Sequence, residues 1–288
     1  MSDPVLTEET LQFGEGGRLS GILTRPGIPV RDLPELPVFV FFNAGLLHRV
    51  GPYRLYVHLA RDLSRMGFSS LRVDLAGKGD SSPRPGLTQQ QSVAADYEEI
   101  LRVLESRLAR VPLILAGLCS GADNAIRLTP KDARVVGLVL LDPVCPPDDG
   151  FSARAFVLKY TTAARYVAWL KRRFEAPSPE FREKKEEVDP LSIRDAPTQE
   201  QLRTAFESIR EREGRVLSVF TQYALGYYNQ AGQLGRVLGM DGYQQFCTEV
   251  FWPHAEHTYT LDLHRRRLME VIKTWAGGFI RSRIGTND

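Results

Sequence analysis

The sequence predicts an α/β protein built on a mostly parallel, doubly wound sheet, and three observations carry that expectation. Strand-like and helix-like segments alternate through residues 38–141. Two strand candidates, Val38-Phe39-Val40-Phe41-Phe42 and Leu113-Ile114-Leu115-Ala116, are apolar throughout, as a strand covered on both faces must be. The second runs straight into Gly117-Leu118-Cys119-Ser120-Gly121, a strand–turn–helix junction that thrusts one side chain outward.

Each element follows from its own pattern. Residues 6–13 and 19–24 alternate apolar and polar positions, a hairpin turning at Gly14-Glu15-Gly16-Gly17. Residues 53–66 place Leu55, Leu59 and Leu63 at helical spacing, and Gly67 closes the helix. The fourth strand, 70–74, feeds the glycine-rich loop Leu75-Ala76-Gly77-Lys78-Gly79-Asp80-Ser81. A long amphipathic helix over 90–108 precedes the fifth strand, and 135–141 is the sixth. From 146 to 213 the strand signal stops and only helix-like segments remain, at 152–174 and 198–212. Strands return at 216–220 and 246–252, and a helix over about 261–281 ends the chain. The expected organisation is therefore a core (1–145), a helical cap between strands six and seven (146–213), and the rest of the core (214–288).

Bulk properties narrow the function classes. The 288 residues are ample for a large core, and 43% hydrophobic with 25% charged residues is ordinary globular composition. A net charge of +2 lacks the basic footprint of a nucleic-acid binder. The first residues show no positive-then-apolar leader, and no apolar run nears the roughly 20 residues of a membrane span. Cys119, Cys145 and Cys247 are few, odd in number and without metal-ligand spacing. The expectation is a cytoplasmic protein with reduced thiols, no integral membrane segment, no metal and no cofactor.

The junction at Cys119 carries the chemistry. A strand and helix that cross this closely require small residues two before and two after the exposed one, and Gly117 and Gly121 frame Cys119. Ser120 does not qualify, because Leu118 would stand two before it. The helix N-terminus favours the thiolate. The competing reading is an inert buried cysteine, which is how Cys145 and Cys247 are read. Together with Asn43-Ala44-Gly45 after the third strand, Asp74 to Ser81 after the fourth, and a late histidine, this elbow resembles the α/β-hydrolase superfamily over nearly the whole chain. The block from Asn43 to Ser81, with His48-Arg49-Val50-Gly51 inside it, is similar to the exosortase-associated hydrolases of the serine-aminopeptidase-like group. The chain departs from most of that superfamily in its cysteine, as dienelactone hydrolases and polyhydroxyalkanoate synthases do.

The resemblance implies where the partners of Cys119 stand. The base follows the last strand, which selects His257, with His254 as runner-up; His58 and His264 fall inside helices. The acid of most relatives follows the seventh strand, but residues 221–229 hold no carboxylate. Asp142, at the end of the sixth strand, replaces it as in some relatives, unless it is only a turn residue before Pro143. Asn229 is an alternative group to orient the imidazole. Asn43-Ala44-Gly45-Leu46 stands where relatives carry His-Gly-x, so the oxyanion donors are the amides of Leu46 and Ser120. His48 and Arg49 either meet an anionic substrate group or face solvent, while Asp74 and Asp80 tie down their loop.

These residues describe a hydrolase that opens an ester or thioester of a small acyl substrate through a Cys119–His257–Asp142 triad and a thioester acyl-enzyme. Acyl transfer or cyclisation, from an acyl carrier protein or coenzyme A to an alcohol or amine, is a rival because the intermediate is itself a thioester. A ligand-binding protein that lost its chemistry is a second rival, supported by the missing carboxylate after strand seven. In the cap, Arg165, Lys171, Arg172 and Arg173 lie among Phe156, Val157, Tyr160, Tyr166 and Trp169. That stripe either docks a membrane surface or carrier, or packs over the site with its charges in water.

Overall fold

The computed structural model describes residues 6–27, 36–161 and 194–284. Strands β1 (Leu6–Phe13) and β2 (Leu19–Pro26) form the predicted hairpin, paired antiparallel from Leu6–Pro26 to Phe13–Leu19. They edge an eight-stranded sheet of order β1-β2-β4-β3-β5-β6-β7-β8. Its other strands are β3 (Val38–Phe42), β4 (Ser70–Asp74), β5 (Leu113–Leu118), β6 (Val135–Leu141), β7 (Arg215–Thr221) and β8 (Cys247–Trp252). β2 meets β4 antiparallel, and every pairing from β4 through β8 is parallel. This is the α/β-hydrolase fold.

The apolar runs are buried on both faces for a visible reason. In β3, Phe39 and Phe41 enter one core while Val38, Val40 and Phe42 enter the other, the two-residue period of a strand. The first core is closed by α1 (Leu55–Arg65), and by α8 (Asp262–Ile284) through Leu268, Ile272 and Trp275. The second is closed by α2 (Gln89–Leu108) and α3 (Ser120–Leu128). Thr88 caps α2: its hydroxyl accepts from the Gln91 amide (3.3 Å), and the Gln91 side chain accepts from the Thr88 amide (2.9 Å).

Of the segment 146–213, read from the sequence as a helical cap, the described residues are 146–161 and 194–213. Helix α4 (Phe151–Thr161) follows β6, with Phe156 and Val157 exposed. Helix α5 (Gln199–Glu211), however, packs Leu202, Ala205, Phe206 and Ile209 into the second core beside α3, β6 and β7. It lies between β6 and β7 in the chain and packs against the sheet. Periodicity marks an apolar face; only the tertiary arrangement says which surface covers it. Arg165, Tyr166, Trp169, Lys171, Arg172, Arg173 and the side chain of Tyr160 lie outside the described residues. Two short helices, α6 (Gln233–Leu238) and α7 (Tyr243–Phe246), join β7 to β8. No described helix is long and apolar enough to cross a membrane.

If α5 is a core element, Phe206→Ala lowers the unfolding free energy by about 3–5 kcal/mol in urea titrations. A helix lying outside the core would lose only about 0.5 kcal/mol.

Candidate active site

Cys119 stands between β5 and α3 with φ 56 and ψ −119, a strained conformation for a residue with a side chain. Its amide donates to Leu141 O (2.8 Å), and its carbonyl accepts from Asp123 N (3.1 Å). The glycine requirement read from the sequence is met by steric contact. A Cβ on Gly117 would lie 2.7 Å from the Ala122 amide, and one on Gly121 would lie 2.8 Å from the carbonyls of both Phe42 and Asn43. One residue before the turn, Leu118 N donates to the buried Tyr56 hydroxyl (3.0 Å). Gly51 makes room for that ring, since a Cβ there would lie 2.8 Å from Tyr56 Cγ.

Asp142 ends β6 with φ 47 and is fully buried. Its carboxylate accepts from Thr221 N (2.6 Å) and Thr221 Oγ1 (2.7 Å), and Oδ2 lies 2.7 Å from His257 Nδ1. The imidazole and the Cys119 thiol also lie close enough to shift each other's ionisation. Burial opposes the charged ring, but the hydrogen bonds to Asp142 and Cys119 outweigh it and raise His257 from 6.5 to about 9. Burial likewise opposes the thiolate; the hydrogen bond from His257 and the charge of Arg194 outweigh it and lower the Cys119 thiol below 9.0. Both shifts run towards the charged forms of the two groups.

Two groups here escaped sequence reasoning. Tyr223, in the loop after β7 where a carboxylate is usual, stacks on His257 with ring centroids 3.9 Å apart and planes at 25°. Arg194 pairs with Asp123 through both carboxylate oxygens and donates to the carbonyls of Cys119 (3.0 Å) and Asp142 (3.2 Å). One guanidinium thus holds both left-handed turns. Asp123, a buried acid four positions after the nucleophile candidate, does signal a cationic partner. Nothing local points to one 71 positions later.

The remaining candidates separate cleanly. Among the described residues, the amides of Leu46 and Ser120 make no hydrogen bond, whereas Gly45 N donates to Ser120 Oγ (2.8 Å). Arg49 is buried, its guanidinium pairs with Asp74 and Asp80 (2.8 Å), and its amide donates to Asp74 Oδ1 (2.6 Å). His48 sits on the same acids, 3.1 Å from Asp80 Oδ2. Neither lines the cavity beside Cys119; a guanidinium this buried needs carboxylates, and its own loops supply them. The donor atoms of His48, Asp74 and Asp80 lie within 4.8 Å of one another, and the Arg49 guanidinium pairs with both of those acids. Asn229 accepts from Arg154 (2.8 Å) and donates to Phe151 O (3.1 Å), so it orients the start of α4 rather than the imidazole. His254 and His58 are exposed, and His264 pairs with Glu256 (2.8 Å). Burial pushes the thiols of Cys145 and Cys247 up, away from ionisation.

A cavity of about 780 Å³ opens beside Cys119, with Leu46, Lys78, Leu87, Asn124, Arg194 and Tyr223 in its wall. With this geometry in hand, comparisons with known proteins agree on its class. A sequence profile described as serine aminopeptidase, S33, matches residues 45–212, more than half of the chain. Carboxyl esterase 2 from the mycorrhizal fungus Tuber melanosporum superposes with TM-score 0.54 at 14% identity, over 97% of this chain and 87% of that one. The Pyrococcus furiosus esterase PF2001 gives TM-score 0.54 at 12% identity, over 97% and 91%. A thermophilic esterase from Thermogutta terrifontis gives TM-score 0.51 at 18% identity, over 95% and 99%. At these identities the likeness is one of fold. No curated protein matches the chain by sequence.

Iodoacetamide labelling of Cys119, followed by peptide mass spectrometry, should titrate below the 9.0 of an ordinary thiol. His257→Ala and Arg194→Met each remove a cation that favours the thiolate, so each should move that titration upward. A midpoint at or above 9.0 in the intact chain would contradict the electrostatics of the site.

Proposed function

The chain belongs to the serine aminopeptidase S33 family of α/β-hydrolases, and on that premise we propose a thiol hydrolase that opens esters or thioesters of small acyl substrates through Cys119, His257 and Asp142. What supports this reading best is buried Asp142 holding His257 Nδ1 at 2.7 Å, with the imidazole favouring ionisation of the thiol at the strained elbow.

In the proposed reaction the Cys119 thiolate attacks the carbonyl carbon, and negative charge builds on the carbonyl oxygen. In this reading the amides of Ser120 and Leu46 receive it, and each such donor contributes about 3 kcal/mol to the barrier reduction. As the bond to the leaving oxygen or sulfur breaks, the His257 imidazolium supplies its proton, leaving a thioester on Cys119. Neutral His257 then takes a proton from water, whose oxygen attacks the thioester; the acid departs and the thiolate–imidazolium pair is restored. Asp142, held by Thr221, keeps Nδ1 protonated and the ring facing the sulfur. Its contact with His257 occupies the role left empty after strand seven, which favours an enzyme over a binding protein. The substrate reaches the site free or carried on coenzyme A or an acyl carrier protein, and free thiols suit a reducing cytoplasm.

Incubation with a short acyl thioester should leave an acyl adduct on the Cys119 peptide and release free acid. Cys119→Ala should abolish both, with kcat/KM falling at least about 10³-fold. Selective alkylation of Cys119 without any adduct or turnover would overturn the reading, and a new ester formed with an added alcohol would shift it to acyl transfer.

The pH profile of kcat/KM should be bell-shaped. Its alkaline limb falls near pH 9, where His257 loses the proton destined for the leaving group; its acid limb lies below 9.0, where the lowered thiol takes a proton. A rate that climbs steadily through pH 10 would count against imidazolium as the acid.

A further inference from the structure

The cavity beside Cys119 has an imbalance of charge and hydrogen-bonding capacity that the chemistry above does not use. Three of its cations are matched: Arg84 with Asp96 (2.6 Å), Arg127 with Asp195 (3.0 Å) and Arg194 with Asp123. Lys78 is not, for its ammonium makes no hydrogen bond or ion pair among the described residues. Asp96 exerts a charge on it, but that carboxylate is taken by Arg84 Nε and by Ala76 N (2.7 Å). Burial lowers the Lys78 pKa against the pull of Asp96 and Cys119, the state of an ammonium short of partners. Asn124, also in the cavity wall, is 5% exposed and its Nδ2 has no partner. The other buried unpartnered side-chain atoms of the wall, among the described residues, are Arg84 Nη2 and Arg127 Nε. All of them are donors.

The loop that carries Lys78 is held rigidly. Lys78 N donates to Leu75 O (3.0 Å) and Ser81 N donates to Lys78 O (2.9 Å). Ser81 Oγ donates to Asp74 O (2.6 Å), and Asp80 N to Asp74 Oδ2 (3.1 Å). Gly79 has φ 49, and a Cβ there would strike the Asp74 carboxylate. Arg49 and His48 complete the same cluster from the opposite loop. The same cavity wall also contains the apolar side chains of Leu46, Leu87 and Val93. Such a surface suits an aliphatic chain ending in an acceptor-rich anion.

We propose that this cavity selects acyl substrates bearing a second, anionic group, a carboxylate or phosphate remote from the reacting carbonyl, with Lys78 binding that group and Asn124 donating beside it. The inference rests on Cys119 as nucleophile.

The test reads alkylation of Cys119 by iodoacetamide in the presence of glutarate, of inorganic phosphate, or of neutral glutaramide. Protection of at least fivefold by an anion, none by glutaramide, and loss of that protection in Lys78→Met support the proposal; which anion protects tells carboxylate from phosphate. Lys78→Arg should retain protection. A second readout compares p-nitrophenyl hemiglutarate with p-nitrophenyl pentanoate, which differ in a terminal carboxylate. Wild type should prefer the anionic ester at least tenfold in kcat/KM, and Lys78→Met should erase that preference. Rapid selective alkylation of Cys119 with no anion protection, or protection unchanged in Lys78→Met, would overturn the anion site and leave the nucleophile standing. Failure of Cys119 to react faster than Cys145 would overturn the nucleophile itself, and the proposal with it.

Discussion

The structure turns on how closely β5, α3 and the end of β3 approach one another around Cys119. Gly121 lies against the Phe42 and Asn43 carbonyls, and Gly117 against the first turn of α3, at distances that exclude even a methyl group. Only with both side chains deleted can residue 119 adopt φ 56 and hold its sulfur at the head of the helix. The same approach brings Ser120 Oγ to Gly45 N, so the loop after β3 is anchored to the turn that carries the thiol. Strain at such a turn, of order 1–3 kcal/mol, persists only where surrounding bonds over-determine it. Here Leu141, Asp123, Arg194 and Tyr56 provide them, the last through the adjacent residue.

A second constraint follows from burying Asp142. A carboxylate with no exposed surface must have its oxygens satisfied, and Thr221 and His257 satisfy them. The imidazole is thereby fixed in tautomer and direction, and its charge is stabilised up to about pH 9. Tyr223 covers one face of the ring, and Arg194 ties the turns of Cys119 and Asp142 together. The ends of β6 and β7 are neighbours, with Asp142 N donating to Val219 O (2.8 Å), so a carboxylate at the end of β6 lies beside the loop that follows β7.

Asp74 organises the other side of the site. Asn43 Nδ2, Arg49 and Asp80 N all converge on its carboxylate, and Asn43 Oδ1 accepts from Leu75 N (2.7 Å). The loops after β3 and β4 are thus tied together, and Leu46 and Lys78 line the same cavity. The conspicuous His48-Arg49 pair belongs to this scaffold, not to the cavity wall.

Much of this was legible in the chain itself, where the information is local. Two-residue alternation through Val38-Phe39-Val40-Phe41-Phe42 implied a strand buried on both faces, and the small residues framing Cys119 implied the elbow. Position at strand ends, together with family resemblance, pointed to His257 and Asp142. Tertiary structure alone decided the rest: that α5 covers the sheet, that Arg49 spends its charge on Asp74, that Arg194 reaches Asp123, and that Tyr223 lies on His257. A hydrophobic period specifies which face of an element is apolar, and a backbone requirement specifies which residue fits a turn. Which charge meets which, between residues dozens of positions apart, is set by strand order and crossover geometry, and these are properties of the assembled sheet.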